Sequence, residues 1–328
     1  MTVLYDLNHK TCAPEYFEGR RWKVGLLQIL NLEGRLHIMN EGAAVDVELA
    51  SAHTFSSSTH DIYSRWGEFV SWAADLGDVP NAARTVNYRE DDLGPVAHPR
   101  QVFAVGLNYL DHAAEAGFVP PSEPMIFPKW PTSIAGPYVE VPLPGGEVDW
   151  EVELVVVIGR GGRNIPAGNA WLHVAGITVG QDLSERARQL RGGFPQFGLA
   201  KSHQAFAPIG PVLVSLDEIP DPNDMAISCR LNGQTVQSAR TSDMIFPIPE
   251  LIAYLSSTVE LMPGDVIFTG TPPGVGMGMN PQVFLQPGDI LSSEIEGIGR
   301  MEQTFVAGYE MHTATSTADN NPNGGYAS

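Results

Sequence analysis

The 328-residue chain holds only two cysteines, Cys12 and Cys229, far apart and without CxxC spacing. That excludes a disulfide framework and a thiolate zinc site. No apolar run approaches the ~18 residues needed to cross a bilayer as a helix. The N-terminus likewise lacks a basic region followed by a long apolar stretch. A reducing, cytoplasmic setting is therefore expected. Basic residues are scarce, with 19 Lys and Arg against 38 Asp and Glu, for a formal net charge of -19. Nucleic acid and anionic membrane both require a positive face, so neither is expected as a partner. Cations gathered for an anionic ligand must be a local exception. Helical periodicities are also few, whereas 34 glycines and 26 prolines supply turns. That balance favours many short strands over a helical bundle.

What remains is an ordinary globular composition, 43% hydrophobic and 17% charged, long enough for one large domain or two ordinary ones. Residues 1–98 read as a small α+β domain. Strands are predicted over residues 23–30 and 35–40, separated by the turn Asn31-Leu32-Glu33-Gly34, with a third over 43–49. Ile62, Trp66, Phe69, Val70 and Ala73 recur at helical spacing, which predicts an amphipathic helix over 61–76 with an aromatic core stripe. Residues 99–305 are rich in strands and turns. Pro263-Gly264-Asp265 and Pro287-Gly288-Asp289 each lead into a short strand, and residues 249–256 give the best helix. A closed or heavily curled β architecture is expected there. Residues 306–328 read as a disordered tail.

Chemistry gathers around Val148-Asp149-Trp150-Glu151-Val152-Glu153-Leu154-Val155-Val156-Val157-Ile158. The apolar tail of this stretch predicts a buried strand. Strands alternate faces, so Glu151 and Glu153 point the same way. Two carboxylates at a strand end repel unless something positive separates them. Asp182 closes another apolar run, and three carboxylates at strand ends would suit a hard ion such as Mg²⁺, Mn²⁺ or Ca²⁺. Asp182 equally suits a turn or cap. Lys201 is either an ordinary solvated lysine or an anion-binding or catalytic one. His112 and Glu115 share a face if their segment is helical, which makes either a surface ion pair or a water-activating base. Thr271 lies in Thr269-Gly270-Thr271-Pro272-Pro273-Gly274, which lacks a phosphate-loop signature. A rigid turn offering backbone N–H groups and a hydroxyl to a small carboxylate fits that segment better.

Together these segments resemble the fumarylacetoacetate hydrolase family over roughly residues 96–305. The motifs are Val105-Gly106-Leu107-Asn108-Tyr109 with His112 and Glu115, Ile126-Phe127 with Lys129, Glu151-Val152-Glu153, Asp182-Leu183-Ser184-Glu185-Arg186, Lys201-Ser202, and Pro263-Gly264-Asp265 running into Thr269-Gly270-Thr271-Pro272. The resemblance implies a mixed β-roll catalytic domain within a β-rich α+β chain, a Mg²⁺ or Mn²⁺ ion, and a homodimer. It implies Glu151, Glu153 and Asp182 as metal ligands, and His112 with Glu115 as a dyad on a lid ordered by ligand. Lys201 is implied as a catalytic cation, with Thr271, Lys129, Arg186 and Gln204 toward a small anionic keto acid. Gln204 stands where many relatives place aspartate, and Pro128 precedes Lys129 as a second departure. The implied reaction is hydrolytic carbon–carbon cleavage of a 2,4-diketo acid, an acylpyruvate or diketo-deoxy sugar acid, to a pyruvate-type product and a carboxylic acid. Oxaloacetate-type decarboxylation and keto-acid isomerisation are the alternatives on the same site, and a non-catalytic metal-binding protein is a further one. The dyad weighs against isomerisation, which needs no activated water.

Overall fold

The computed structural model describes residues 27–308, except 41–42, 77–78, 80, 86–87, 116 and 118. Cys12 and residues 309–328 of the expected tail lie outside the described residues, while residues 306 and 307 finish the last strand. The valine-rich run forms the strand Val152–Ile158, buried along its whole length. β-Branched side chains suit a pleated surface packed on both sides. Its alternation divides it between two cores. Leu154, Val156 and Ile158 face one cluster with Ile227, Leu291 and Phe305. Val155 and Val157 face another with Ile38, Tyr63 and Phe69. Each such side chain, fully buried, stabilises by about 1.5–3 kcal/mol.

Around this strand runs a 12-stranded sheet. Its order is Arg84–Thr85, Ala43–Asp46, Arg35–Asn40, Gln28–Leu32, Ala207–Val214, Val174–Gln181, Val152–Ile158, Val266–Phe268, Val102–Gly106, Met125–Lys129. Leu93–Gly94 and Ile134–Ala135 pair off this path. Most pairs are antiparallel, but Val266–Phe268 and Val102–Gly106 run parallel. A 5-stranded sheet carries Gln234–Arg240, Ala226–Leu231, Ile290–Ile295, Gly299–Ala307 and Tyr138–Leu143, the last pair again parallel. The β-rich, mixed α+β architecture expected from the sequence is what the chain adopts. The first core lies between the two sheets, joined by the helix Ile248–Thr258 through Ile248, Leu251, Ile252 and Leu255.

The N-terminal strands extend the same large sheet, because Gln28–Leu32 pairs with Ala207–Val214. The third of them stops at Asp46, not Leu49. The Asp46 carboxylate accepts the Leu49 N–H at 3.0 Å and caps a short helix, Val47–Ala50. The aromatic stripe behaves as expected: Trp66–Ala74 is helical after a 3₁₀ turn at Asp61–Arg65, and its buried Phe69 joins the second core. The two Pro-Gly-Asp turns share one device. In each, glycine takes a positive φ and the aspartate accepts a backbone N–H three residues back, from Met262 at 2.7 Å and from Gln286 at 2.7 Å. Asp265 also accepts the Gln101 N–H, which fastens the start of the parallel strand pair.

Candidate active site

The antiparallel register places the three carboxylates. Val152 pairs with Gln181 and Glu153 with Gly180, so one further step sets Glu151 beside Asp182. The Asp182 N–H donates to the Glu151 carbonyl at 2.9 Å. Glu151, Glu153 and Asp182 are all buried, with one ligand oxygen from each lying within 4.8 Å of the others. Gln181 holds the end of the strand: its Oε1 accepts the Glu151 N–H at 2.9 Å while its Nε2 donates to Ser293 at 2.8 Å. Gly180 has no side chain because a Cβ there would stand 2.4 Å from Val155 Cγ2.

Three cations meet this cluster. Lys201 Nζ bonds Glu151 Oε2 at 2.6 Å and Asp182 Oδ2 at 2.9 Å. Lys129 Nζ bonds the other Asp182 oxygen at 2.5 Å, together with the carbonyls of Lys201 and Phe206. Arg186 spans Asp149 at 2.6 Å and Glu151 at 2.7 Å, and its Nη1 donates to Gln189 Oε1 at 2.9 Å. Burial opposes ionisation of Glu151, but Lys201 and Arg186 outweigh it and bring that carboxyl to about 2. Burial opposes the charge on Lys201 as well, yet Asp182 and Glu151 hold its pKa above the ordinary value. For Lys129 burial prevails over Asp182 and lowers it. Glu153 differs. Among the described residues no ion pair reaches it, and its Oε2 accepts the Gly270 N–H at 2.6 Å. Burial, then Asp182 and Glu151, raise its carboxyl well above the usual range.

The segment predicted as helical is the short helix Leu110–Glu115. His112 Nδ1 and Glu115 Oε2 lie 3.2 Å apart, and both Glu115 oxygens accept the Gly274 N–H at 3.0 and 3.2 Å. With Nδ1 donating to the carboxylate, Nε2 keeps its lone pair as a base. His112, Glu115, Glu151, Arg186, Lys201 and Thr271 all line one cavity of about 440 Å³. The structure thus gathers six of the expected residues at one cavity, with Glu153 and Asp182 adjoining Glu151 beneath it.

Two expected substrate contacts lie elsewhere. Lys129 is buried behind Asp182, its ammonium already shared among three oxygens, and it is absent from the lining. Gln204 is exposed and also outside the lining. Thr271 lines the cavity, but its hydroxyl donates to the Val152 carbonyl at 2.9 Å and accepts from Gln237 at 2.8 Å. Its single proton is thereby committed, so a substrate carboxylate finds no hydroxyl donor there. Sequence reasoning missed Asp149, the buried carboxylate opposite Arg186, and Gln189, which faces the cavity. Asp149 shares a sequence face with Glu151 at a spacing of two, the same signal that singled out Glu153.

The donor set fits a hard divalent ion. It is all oxygen, buried and converging, and Glu153 lacks the cation that its neighbours possess. Glu151, Glu153 and Asp182 would hold such an ion.

Residues 101–306 match the family described as fumarylacetoacetate (FAA) hydrolase, C-terminal. The human mitochondrial oxaloacetate tautomerase FAHD2A is 50% identical over 69% of this chain and 71% of its own length. A Mycobacterium smegmatis structure described as an HpcE candidate is 55% identical, covers 85% of this chain and 99% of its own, and superposes with a TM-score of 0.82. Fumarylpyruvate hydrolase from Pseudomonas aeruginosa, solved with Mn²⁺ and pyruvate, is 34% identical over 66% of this chain and 92% of its own, with a TM-score of 0.59. The mitochondrial relatives correct the expectation of a cytoplasmic setting. Its physical basis was too narrow, since organelle import segments are amphipathic and not long apolar runs. With the strand-end carboxylates, the dyad and the cavity in place, the chain belongs to the fumarylacetoacetate hydrolase family.

Proposed function

We propose that this chain is a metal-dependent keto-acid isomerase that interconverts the keto and enol forms of oxaloacetate or a close 2-keto acid. The observation that carries the reading is the His112–Glu115–Gly274 arrangement, which leaves one imidazole nitrogen free toward a cavity floored by Glu151 and Lys201. The relatives named as oxaloacetate tautomerases, at about half identity, support the choice of reaction.

A bound hard divalent ion would supply Lewis-acid polarisation of the substrate's 2-oxygen and carboxylate. The chain's own residues handle the proton. His112 Nε2 takes it from C3, the C–H pair becomes the C2=C3 double bond, and the imidazolium returns a proton to the 2-oxygen. The reverse sequence regenerates the ketone, so atoms and charge balance without a second reactant. Glu115 fixes the ring and stabilises its transient charge. Lys201 has three N–H donors and spends two on Glu151 and Asp182, which leaves one for charge developing at the 2-oxygen. Arg186 positions Glu151 and turns Gln189 so that its amide nitrogen is unspent.

In this reading the dyad serves as the carbon base, so its presence no longer weighs against isomerisation. Hydrolysis of a 2,4-diketo acid is the second reading, because the same nitrogen can deprotonate water, and a relative of that activity holds Mn²⁺ and pyruvate. Parallel assays separate them: decay of enol oxaloacetate for the isomerase, release of pyruvate from an acylpyruvate for the hydrolase. Pyruvate release with no acceleration of enol decay would favour hydrolysis.

A further inference from the structure

The cavity is larger and more apolar than a four-carbon diacid requires. At about 440 Å³ it has room for roughly fifteen waters at ~30 Å³ each, and it falls within the range of sites for drug-sized ligands. Its polar groups are concentrated. Arg186 and Lys201, the lysine and arginine of the lining, both bond Glu151.

Much of the rest of the lining is apolar. Met125 and Phe127 are two apart on the strand Met125–Lys129 and share its face. The Phe127 ring joins the cations to the apolar lining: Lys201 Nζ lies 5.3 Å from its centroid, and the Phe197 ring lies 5.3 Å away. Leu190 and Pro195 continue that lining. Gly106 keeps it open, because a Cβ there would stand 2.1 Å from the Met125 methyl. Met125 is itself adaptable, an unbranched thioether that follows irregular ligands. At the loop beyond, Leu190 is 53% and Phe194 82% exposed, two large apolar side chains left in water beside the lining residue Pro195.

We infer that the preferred substrate is a 2-keto acid carrying an apolar aryl or alkyl tail beyond C3, with its head at Glu151, Lys201 and His112 and its tail on Phe127, Phe197, Leu190 and Pro195. This deepens the isomerase reading and rests on it for the placement of the head. A second carboxylate on the tail would meet this apolar lining, with Lys201 and Arg186 already engaged at Glu151. An apolar tail instead removes the lining from water, and each added methylene is worth ~10-fold or more in discrimination.

The test is calorimetric titration of the Mn²⁺-loaded full chain with phenylpyruvate, pyruvate and oxaloacetate, run beside the enol-decay assay on oxaloacetate. Phenylpyruvate should bind at least ~10-fold more tightly than pyruvate and no more weakly than oxaloacetate. Leu190→Asp and Phe197→Ala should each shrink that preference to below ~3-fold while Mn²⁺ binding is retained. If either variant fails to fold, the wild-type preference alone decides. Equal binding of pyruvate and phenylpyruvate, or a clear preference for oxaloacetate, overturns the inference even where oxaloacetate is tautomerised. A retained phenylpyruvate preference with no tautomerisation would leave the substrate class standing and remove the isomerase.

Discussion

The Asp182 N–H donates to the Glu151 carbonyl at 2.9 Å, one step past the Val152–Gln181 pair. That single backbone bond brings a carboxylate from the end of one strand against two from the beginning of the next. The buried carboxylate cluster is a consequence of sheet register, and its rigidity is that of the sheet.

If that site holds the ion, Glu153→Gln should reduce Mn²⁺ affinity by at least ~100-fold, the upper end of what even an outer partner costs. Glutamine retains an acceptor for the Gly270 N–H, so the fold should survive. Metal should also raise the melting temperature of the wild type, since a ligand at ~100 times its Kd adds about 2.7 kcal/mol. The check is calorimetry with a melting scan in Mn²⁺ and in chelator. An unchanged affinity in the variant would remove Glu153 from the ligand set.

Gly278→Ala tests the seating of the dyad without touching His112. A Cβ at Gly278 would lie 2.4 Å from the Glu115 Cδ and 2.6 Å from Oε1, so the carboxylate must leave the Gly274 N–H. A displacement of that size should lower kcat by ~10-fold or more. Mn²⁺ affinity should stay as in the wild type. Steady-state kinetics beside a metal titration decide it.

How much of this could be read from the chain alone differs by residue. Glu151 and Glu153 were legible because a strand's period of two is local. Asp182 was visible only as a strand-end carboxylate; its pairing with Glu151 depends on long-range register that no local pattern encodes. Lys129 resembled a substrate residue because spacing cannot tell a lysine that faces a cavity from one behind it. Asp149 was not singled out because its partners, Arg186 and the Met277 N–H, reach it from residues 37 and 128 positions away. The N-terminal helix was legible from its aromatic stripe, whereas the pairing of Gln28–Leu32 with Ala207–Val214 was not.

Core packing at the site makes Gly180→Ala a stability probe. Its new methyl would meet Val155 Cγ2 at 2.4 Å and Phe268 Cε1 at 2.8 Å. Overpacking of this kind should cost about 1–3 kcal/mol. A denaturant midpoint equal to that of the wild type would show that the two strands have slack the packing does not suggest.

Stability should also fall in acid through the buried His37. His37 is 4% exposed, and burial pushes its imidazole below the ordinary value despite the Arg35 carbonyl and Asp46. His98 and His203 are shifted in the same direction, but His98 is exposed and His203 only half-buried, so solvent screening leaves them a smaller share of the effect. Each folded pKa lies below the unfolded one, near ~6.5. The contribution is present above that value and is lost as pH falls through it toward the folded pKa, by at most ~1.4 kcal/mol per pH unit for each group. Unfolding followed from about pH 7.5 to about pH 5 should show this slope, and His37→Gln should flatten part of it. An identical slope in the variant would exclude His37.

In the proposed reaction His112 is the carbon base of a keto–enol isomerisation. The direct measurement is stopped-flow decay of enol oxaloacetate with the Mn²⁺-loaded protein, wild type against His112→Asn. Rapid decay is expected with the wild type and a loss of ~10²–10⁴-fold in the variant, the usual scale for a missing general base, with Mn²⁺ affinity preserved. Wild-type protein that leaves the enol decay at its uncatalysed rate, or a variant as fast as the wild type, would contradict it.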